Sequence, residues 1–560
     1  MLQSKLFTKT LKEAPKDEVS LNAIYLTRAG YIDKVTAGVY TYLPLGLRVL
    51  NRIAGIIREE IDAVGGQEVL MPAINPKELW TQTGRWQGMA EVLFKFKGVG
   101  DKEFTLGPSH EEVVTPLVKK YASSYKDLPA AVYQIQDKFR NEPRAKSGLL
   151  RGREFIMKDL YSFHASEADL ESYYARVKDA YLKIFARCGL EALVVEASGG
   201  FFSKYSHEFQ VVTPFGEDKI FFCPNCRHYQ NREIATGKPN QPEGGMEPEK
   251  PLNEVEAQRE ASIAASVKLM KIPAWKVLKN IIYQTKNGLL GVTIRGDLNV
   301  NEVKLKAYLE DYSLRPANDE ELAHAGLVPG FISPVNNQKI KFIGDLSVAT
   351  VNNYVTGANI KYQDYINVNL NRDFQLGSLA DLADINEDYA CPKCGAKIES
   401  VKAIEVGNIF KLKTKFSEAF DYKFVDADGK LKPVLMGCYG IGLGRLMGTI
   451  AEVHHDQQGL IWPKSVAPFA AHLIQVGDDL AVAKKAKAVY DKLLAAGVGV
   501  LFDERNQFTP GQKFADADLI GIPYRLVISA KTGTKIEVKK RGDVKSELVD
   551  VKKLISLLTA

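Results

Sequence analysis

Apolar residues recur every three or four positions through the segment LRVLNRIAGIIREEIDAVGG, residues 47–66. Leu50, Ile53, Ile57 and Ile61 fall on one face of this pattern, which is typical of a helix that packs against a core. Two glycines close the segment and predict the end of the helix, because glycine readily adopts the left-handed conformation found after helices.

Strand-like segments flank a basic, glycine-containing loop. QEVLMP (67–72) and YQIQDKF (133–139) both predict strands. The stretch FRNEPRAKSGLLRGREF (139–155) carries four arginines and one lysine. Pro143 and Gly148 in its middle argue against a helix. The pattern therefore predicts a strand, a loop and a second strand, with charge held at both strand ends.

Changes of pattern along the 560 residues indicate three or four domains, since one hydrophobic core does not organise so long a chain. Residues 237–256 are rich in proline, glycine and glutamate and predict a linker. Residues 257–384 then alternate helices with short β-branched strands, and 432–452 runs from a strand through glycines into a helix. From about residue 467, alternating strands and helices predict a small α/β domain.

Composition narrows the class of protein without identifying a partner. The chain is 45% hydrophobic and 25% charged, which is ordinary for a globular protein. No apolar run approaches the roughly 20 residues that span a bilayer, and the first residues lack the apolar core of a secretory signal. We therefore expect a cytoplasmic protein without membrane contact. The net charge of +6 permits an anionic partner but does not require one.

The basic stretch contains the groups that a nucleotide site needs. Arg140 and Arg151 offer guanidinium groups to phosphate, Glu142 offers an acceptor for an adenine amino group, and Phe155 offers an aromatic plane. Any one of these arginines is more simply a solvated surface charge. The ordered set favours a site, and a second glycine-rich stretch strengthens that interpretation.

That second stretch, GCYGIGLGRLMG (437–448), is neither a Walker loop nor a G-x-G-x-x-G motif. Gly442 and Gly444 allow a ligand close to the backbone, and Arg445 begins a predicted helix where it can meet a phosphate. Taken alone, the glycines are equally consistent with tight helix–strand packing.

The motifs together resemble those of class II aminoacyl-tRNA synthetases. The helix and strand ending at Pro72, FRNE…RGREF and GIGLGR occur in the order of the three class II signatures. With LGPSHEE (106–112), MKDLYSFH (157–164) and SHEFQ (206–210), the chain resembles bacterial-type prolyl-tRNA synthetases over nearly its whole length. The resemblance implies a multidomain α/β and α+β protein. Its parts are an antiparallel-sheet catalytic core (1–236 and 385–466), an inserted α+β editing domain (237–384) and a C-terminal α/β anticodon-binding domain (467–560).

The same resemblance implies ATP-dependent ligation of L-proline to tRNA(Pro) through prolyl-adenylate, with Mg²⁺. Arg140 then holds the α-phosphate and the amino-acid carboxylate, and Glu142 and Phe155 hold adenine. Arg151 and Arg445 bind the γ-phosphate end of ATP. The expected proline pocket contains Ser109, Glu111, Arg140, His164 and His207, although the family usually has threonine at Ser109. Arg144 is expected at the tRNA acceptor stem, and Pro72 at a homodimer interface.

Two departures from the family pattern affect selectivity. Phe202 and Ser203 lie where members often have consecutive small residues, so Phe202 either forms a rotated pocket wall or changes the pocket shape. In the insertion, Lys279 matches a lysine of the pocket that hydrolyses mischarged alanyl-tRNA, but Asp364 stands where the family typically has histidine. Editing makes physical sense because a pocket rejects a smaller amino acid by only about 1–3 kcal/mol. The altered residue leaves open whether editing is weakened.

Two C-x-x-C pairs, Cys223 with Cys226 and Cys391 with Cys394, flank the insertion. If the ends of the insertion meet, the four thiolates form a tetrahedral site suited to one structural Zn²⁺. The alternative is two reduced turn pairs, since family members can lack these cysteines. In the C-terminal domain, DERNQFTPGQKF (503–514) provides three candidate anticodon contacts, namely Glu504, Arg505 and Lys513.

Three alternative functions are consistent with parts of the sequence. A related synthetase, for threonine for example, is disfavoured by the position of the insertion between the basic stretch and GIGLGR. A synthetase-like regulatory protein is disfavoured by the intact set Arg140, Glu142, Phe155 and Arg445. A protein that mainly deacylates tRNA would lose nothing when Arg140 is replaced.

Overall fold

A computed structural model describes residues 1–16, 18–143, 145–199 and 205–559. Arg144, Phe202 and Ser203, which were singled out above, lie outside the described residues. The chain forms two compact units. Of the described residues, the first unit contains those up to 194 and those of 205–217 and 403–559, and the second contains 195–199 and 218–402.

The first unit is organised by a layer of paired strands, and the strands named here are antiparallel except for one short parallel pair at the edge. In spatial order its strands are Tyr205–Val212, Glu399–Lys413, Leu435–Gly442, Glu154–His164, Ala130–Phe139 and Gln67–Glu68. The strand–loop–strand prediction for the basic stretch is confirmed. The strand predicted over 67–72 is wrong in its length, since pairing covers only Gln67–Glu68.

Three long helices contribute buried residues to the same hydrophobic core as this sheet, and they are Pro44–Asp62, Glu167–Arg187 and Leu443–Val453. The first confirms the periodicity of the sequence, because Leu50, Ile53, Ile57 and Ile61 are all buried. The backbone then turns left-handed at Gly65, with φ of 87°. The glycine-rich segment likewise forms the predicted strand and helix.

Smaller elements complete this part of the first unit. Its remaining helices are Leu21–Arg28, Lys77–Gln82, Arg85–Gly88, Glu111–Lys119 and Lys415–Ala419. Its remaining strands are Ile32–Thr36, Val39–Tyr42, Ile74–Pro76, Lys95–Lys97, Glu103–Leu106, Lys423–Val425, Leu431–Pro433, His455–Asp456 and Gly459–Leu460.

The C-terminal segment of the first unit has its own five-stranded sheet and core. The strands in spatial order are Val500–Asp503, Ala471–Gln475, Tyr524–Ile528, Ile536–Lys540 and Glu547–Val549, and the helices are Leu480–Ala495, Pro510–Ile520 and Val551–Thr559. The first three strands are parallel. The predicted β-α-β arrangement is therefore confirmed.

The second unit contains a five-stranded sheet, a three-stranded sheet and short helices. The five strands in order are Arg315–Pro316, Leu278–Thr285, Gly288–Arg295, Lys341–Asp345 and Leu379–Ala380, and the three are Asn253–Glu256, Gln363–Val368 and Tyr354–Gly357. The helices are Ile263–Met270, Glu302–Leu309 and Asp319–His324, and further strands are Asp218–Cys223 and His228–Asn231. The strand Ala192–Ser198 begins in the first unit and ends in the second.

The prediction of a linker over 237–256 is wrong at its end, because Asn253–Glu256 is a paired strand. A stretch rich in proline and glutamate can still provide one edge strand when a partner strand offers its hydrogen-bonding groups. Within the described parts of the chain, no helix is long and apolar enough to cross a membrane.

Candidate active site

The two strands around the basic loop bring Arg140 and Phe155 together. Lys138 pairs with Phe155 in the antiparallel register, so Arg140 begins the loop beside it. The guanidinium carbon of Arg140 lies 5.2 Å from the centre of the Phe155 ring, and its Nη2 donates to the Pro108 carbonyl at 3.3 Å. Burial lowers the pKa of Arg140, because the charged form loses contact with water. Its cation faces a partly dehydrated space beside an aromatic ring.

Glu142 and Arg151 meet across the same loop. Arg151 Nε lies 3.1 Å from a carboxylate oxygen of Glu142, and Arg153 Nε donates to the Glu142 main-chain oxygen at 3.0 Å. The Arg151 side chain remains 46% exposed, so an incoming anion can reach it. The four predicted ATP residues of this stretch therefore lie in two adjoining pairs.

The glycine-rich segment carries Arg445 on the first turn of the helix Leu443–Val453. Arg445 Nη1 lies 3.2 Å from Glu405 Oε2, and Asn408 donates to the other oxygen of Glu405 at 3.2 Å. Glu405 and Asn408 were not predicted from the sequence, because a carboxylate and an amide in a strand give no distinctive pattern. The arrangement places a carboxylate next to a phosphate-binding candidate.

The two glycines of this segment have different surroundings. A Cβ atom at Gly444 would lie 2.3 Å from Tyr42 Oη, whereas one at Gly442 would meet only the Arg445 Cβ at 3.4 Å. A side chain at Gly444 would therefore force Tyr42 to move, which supports the interpretation of this glycine as a residue of tight packing. Gly442 leaves more room beside its backbone.

The loop that precedes the helix Glu111–Lys119 forms a buried cluster of charges. Ser109 Oγ donates to Glu111, and Arg85 Nη1 lies 3.0 Å from carboxylate oxygens of both Glu111 and Glu112. Burial acts to raise the pKa of Glu111, but Arg85 and Ser109 outweigh it and hold that pKa below its ordinary value. Burial raises the pKa of Glu112 to about 7. Arg85 gives no signal in the sequence, because its partners lie more than 20 residues away along the chain.

The two histidines predicted for the proline pocket are each fixed by a neighbour. His164 is buried and its Nδ1 lies 2.6 Å from Asp169, while Tyr174 Oη lies 2.7 Å from His207 Nδ1. Burial lowers the pKa of His164, which favours its neutral form near neutrality. Among the residues that the structure describes, none forms a hydrogen bond with His164 Nε2.

In the second unit, Lys279 and Asp364 have contrasting environments. Lys279 Nζ donates to Asn299 at 3.1 Å, and partial burial lowers its pKa. Asp364 is fully buried and receives two hydrogen bonds from Arg259, at 2.7 Å and 2.6 Å. The carboxylate of Asp364 is thus committed to an ion pair rather than directed into open space. Arg259 was not singled out from the sequence.

The four predicted metal ligands come together. Their sulfur atoms lie within 4.8 Å of one another, in the group Cys223, Cys226, Cys391 and Cys394. The sulfurs of Cys223 and Cys394 are 3.4 Å apart and those of Cys226 and Cys391 are 4.0 Å apart. A tetrahedral Zn²⁺ with bonds of about 2.3 Å needs sulfurs roughly 3.8 Å apart. The cysteines are free thiols in a geometry that fits zinc.

The candidate anticodon residues are largely engaged in the C-terminal domain. Arg505 Nη2 lies 2.8 Å from both Asp503 and Asp516, and Lys513 Nζ donates to the Gln475 carbonyl at 2.7 Å. Glu504 accepts a hydrogen bond from Ser4. A cavity of about 250 Å³ is lined by Lys513 together with Gln475, Val476, Gly477, Asp478, Asn506, Phe508 and Pro510. It is open enough to receive a polar group.

Comparison with known proteins gives a consistent result. Residues 94–454 match the family described as tRNA synthetase class II core domain (G, H, P, S and T), and residues 466–560 match the anticodon binding domain. The proline–tRNA ligase of Persephonella marina is 44% identical over the full length of both chains. That of Thermotoga maritima is 42% identical over 99% of this chain and 96% of its own.

Solved structures agree on the fold. The Giardia lamblia prolyl-tRNA synthetase in complex with prolyl-adenylate has a TM-score of 0.58 at 15% identity, and covers 96% of this chain and 75% of its own. The Cryptosporidium parvum prolyl-tRNA synthetase with halofuginone and AMPPNP has a TM-score of 0.59 at 13% identity, over 96% and 76%. The predicted fold class, a class II core with an anticodon-binding domain, is confirmed.

Proposed function

The chain belongs to the proline–tRNA ligase family of class II aminoacyl-tRNA synthetases, and on that premise we propose how its residues carry the reaction. It joins L-proline to tRNA(Pro) in two steps, using ATP and forming prolyl-adenylate. The observation that carries the proposal is the position of Arg140, which lies against Phe155 and the carbonyl of Pro108. One guanidinium there can contact both the α-phosphate and the proline carboxylate.

In the first step the proline carboxylate attacks the α-phosphorus of ATP, and pyrophosphate leaves with the bonding electron pair. Negative charge grows on phosphate oxygens, so fixed cations stabilise the transition state more than the ground state. Arg140 acts at the α-phosphate, and Arg151 and Arg445 act at the γ-phosphate end. Phe155 stacks on adenine, and Glu142 exchanges part of its contact with Arg151 for the adenine amino group. In the second step, a terminal ribose hydroxyl of tRNA displaces AMP from the adenylate.

Glu405 and Asn408 fit the requirements of a Mg²⁺ site beside the phosphates. Mg²⁺ prefers oxygen ligands, often one or two carboxylates together with phosphate oxygens. Asn408 Oδ1 is buried and has no hydrogen-bond partner within the described part of the chain, and Glu405 faces Arg445 at 3.2 Å. We assign these two residues to hold the ion, which supplies further neutralisation of phosphate charge when bound.

Proline-dependent exchange of pyrophosphate into ATP tests this proposal. Arg140→Ala should lower kcat/KM by about 10²–10³-fold, as expected for loss of a group that binds the developing charge. Arg187→Ala is a matched control, because Arg187 is a surface arginine paired with Glu60 at 2.8 Å. Absence of proline-dependent exchange in the unaltered protein, with tRNA present, would refute the ligase function and favour a binding protein.

Hydrolytic editing of alanyl-tRNA(Pro) in the second unit is proposed with Lys279 as the pocket residue. The lowered pKa of Lys279 and its contact with Asn299 support a partly enclosed position. Asp364 is assigned a supporting role, since its carboxylate is bound by Arg259. The rate of deacylation of alanyl-tRNA(Pro), measured for the Lys279→Ala and Arg140→Ala variants, separates editing from ligation. Lys279→Ala should lower this rate, whereas Arg140→Ala should leave it unchanged. Editing that survives Lys279→Ala would contradict the assignment.

One structural Zn²⁺ is proposed for the four-cysteine cluster. The sulfur separations and the free thiols support tetrahedral coordination.

The contacts with tRNA are proposals as well. Arg144 is assigned to the acceptor stem, and Glu504, Arg505 and Lys513 are assigned to the anticodon or to the layer beneath it. Arg505 and Lys513 already contact other protein groups. We therefore assign them to support the cavity lined by Asn506 and Phe508 rather than to contact the anticodon directly. A cytoplasmic homodimer with Pro72 at its interface completes the proposal.

A further inference from the structure

We propose that Arg85 is a positioning residue for proline recognition, which fixes the Glu111 carboxylate for contact with the charged ring nitrogen of the substrate. The inference rests on the proposed function, in which Glu111 binds that nitrogen. Arg85 lies in the short helix Arg85–Gly88, outside every motif that identified the site from the sequence.

The contacts of Arg85 converge on the loop that would hold proline. Its Nη1 reaches a carboxylate oxygen of Glu111 and both oxygens of Glu112 at 3.0 Å. Its Nη2 donates to Ser109 Oγ at 3.1 Å. The guanidinium also lies over the ring of Trp80, 5.0 Å from the ring centre. One planar cation therefore joins Ser109 and Glu111 with an aromatic wall.

Burial makes this support necessary. The side chains of Arg85, Glu111 and Glu112 are 6%, 1% and 0% exposed. A carboxylate that is buried without a partner is strongly disfavoured, so it would bind a proton or turn toward water. Arg85 keeps Glu111 ionised and oriented, as the lowered pKa of Glu111 also indicates. The raised pKa of Glu112 identifies it as the carboxylate that more readily takes a proton.

Arg85 should affect the binding of proline and not the binding of ATP. Proline carries a secondary ammonium with two N–H donors, and an ionised carboxylate in a fixed position binds it strongly. ATP is contacted by other residues, so loss of Arg85 should weaken proline binding without weakening ATP binding. An arginine with a purely structural role would affect both substrates together.

Pyrophosphate exchange with three variants of the full chain tests the inference. Arg85→Met removes the cation, Arg85→Lys keeps a charge without the fork, and Arg187→Met removes a surface arginine that also pairs with two consecutive glutamates, Glu59 and Glu60. Tetrahydrofuran-2-carboxylate is included as an inhibitor, because its ring oxygen replaces the charged nitrogen. Its inhibition constant reports binding that does not involve the ammonium.

We expect Arg85→Met to raise the KM for proline by about 10–100-fold, corresponding to loss of a charge-assisted contact. The KM for ATP and inhibition by the ring-oxygen analogue should stay within about threefold, which is under 1 kcal/mol. Arg85→Lys should give a smaller rise with the same selectivity, and it decides the question if the methionine variant does not fold. Arg187→Met should match the unaltered protein.

Two results overturn the inference. If Arg85→Met weakens the binding of proline, ATP and the analogue equally, Arg85 has a purely structural role. If the KM for proline is unchanged, Arg85 has no role in proline recognition. Failure of the proposed function is distinguishable, because the unaltered protein would then show no proline-dependent exchange at all.

Discussion

The buried ion pair between Arg259 and Asp364 should dominate the local stability of the second unit. The two side chains are 5% and 0% exposed, and two hydrogen bonds of 2.6 Å and 2.7 Å join them. Arg259 also donates to the Gly330 carbonyl at 3.1 Å. Replacing Arg259 by methionine leaves a carboxylate buried without its cation, which costs about 3–5 kcal/mol. Replacing both residues, as in Arg259→Met with Asp364→Leu, should be much less costly, because no unpaired charge remains.

Hydrogen exchange of the full chain measures this effect separately in each unit. We expect the strand Gln363–Val368, which pairs with Asn253–Glu256, to lose protection corresponding to about 3 kcal/mol or more in the single variant. The strand Ala130–Phe139 of the first unit serves as an internal control. A single variant that loses less than about 0.5 kcal/mol, or a double variant that loses as much as the single one, would refute the reasoning that an unpaired buried charge is the cause.

Three further predictions concern other sites. Native mass spectrometry should find one zinc per chain, and Cys226→Ser should reduce its retention against a chelator; full retention would contradict four-thiolate coordination. Gly444→Ala should destabilise the protein by about 1–3 kcal/mol through overpacking against Tyr42. Tyr42→Phe should restore part of the loss in thermal unfolding, and no rescue would place the clash elsewhere. Burial lowers the pKa values of His110 and His472 to about 4, so the unfolded chain binds more protons between pH 6.5 and 4. Stability should therefore be fully present above pH 6.5 and fall as the pH drops through this window, and His472→Gln should flatten the fall in acid titrations of unfolding.

Local pattern was sufficient for much of the fold. The apolar face through Leu50, Ile53, Ile57 and Ile61 determined a helix, and the glycine after it determined the end, because both features depend only on neighbours along the chain. The basic stretch determined a strand pair in the same way. Its ordered chemical groups, together with GIGLGR, were enough to indicate a nucleotide site before any tertiary contact was known.

The partners of these groups become evident only in the folded protein. Arg85 and Arg259 gave no signal in the sequence, since a single arginine acquires meaning only from carboxylates brought to it by folding. The same holds for Gly444, whose neighbour Tyr42 lies some 400 positions away in the chain. Propensity and periodicity depend on neighbours along the chain, so the sequence located many of the helices and strands and showed which chemical groups are available. It misplaced the strand over 67–72 and the linker over 237–256, because strand pairing depends on distant segments. Which charged groups are buried together depends on the fold, and burial strengthens their contacts because the protein interior has a lower dielectric constant than water.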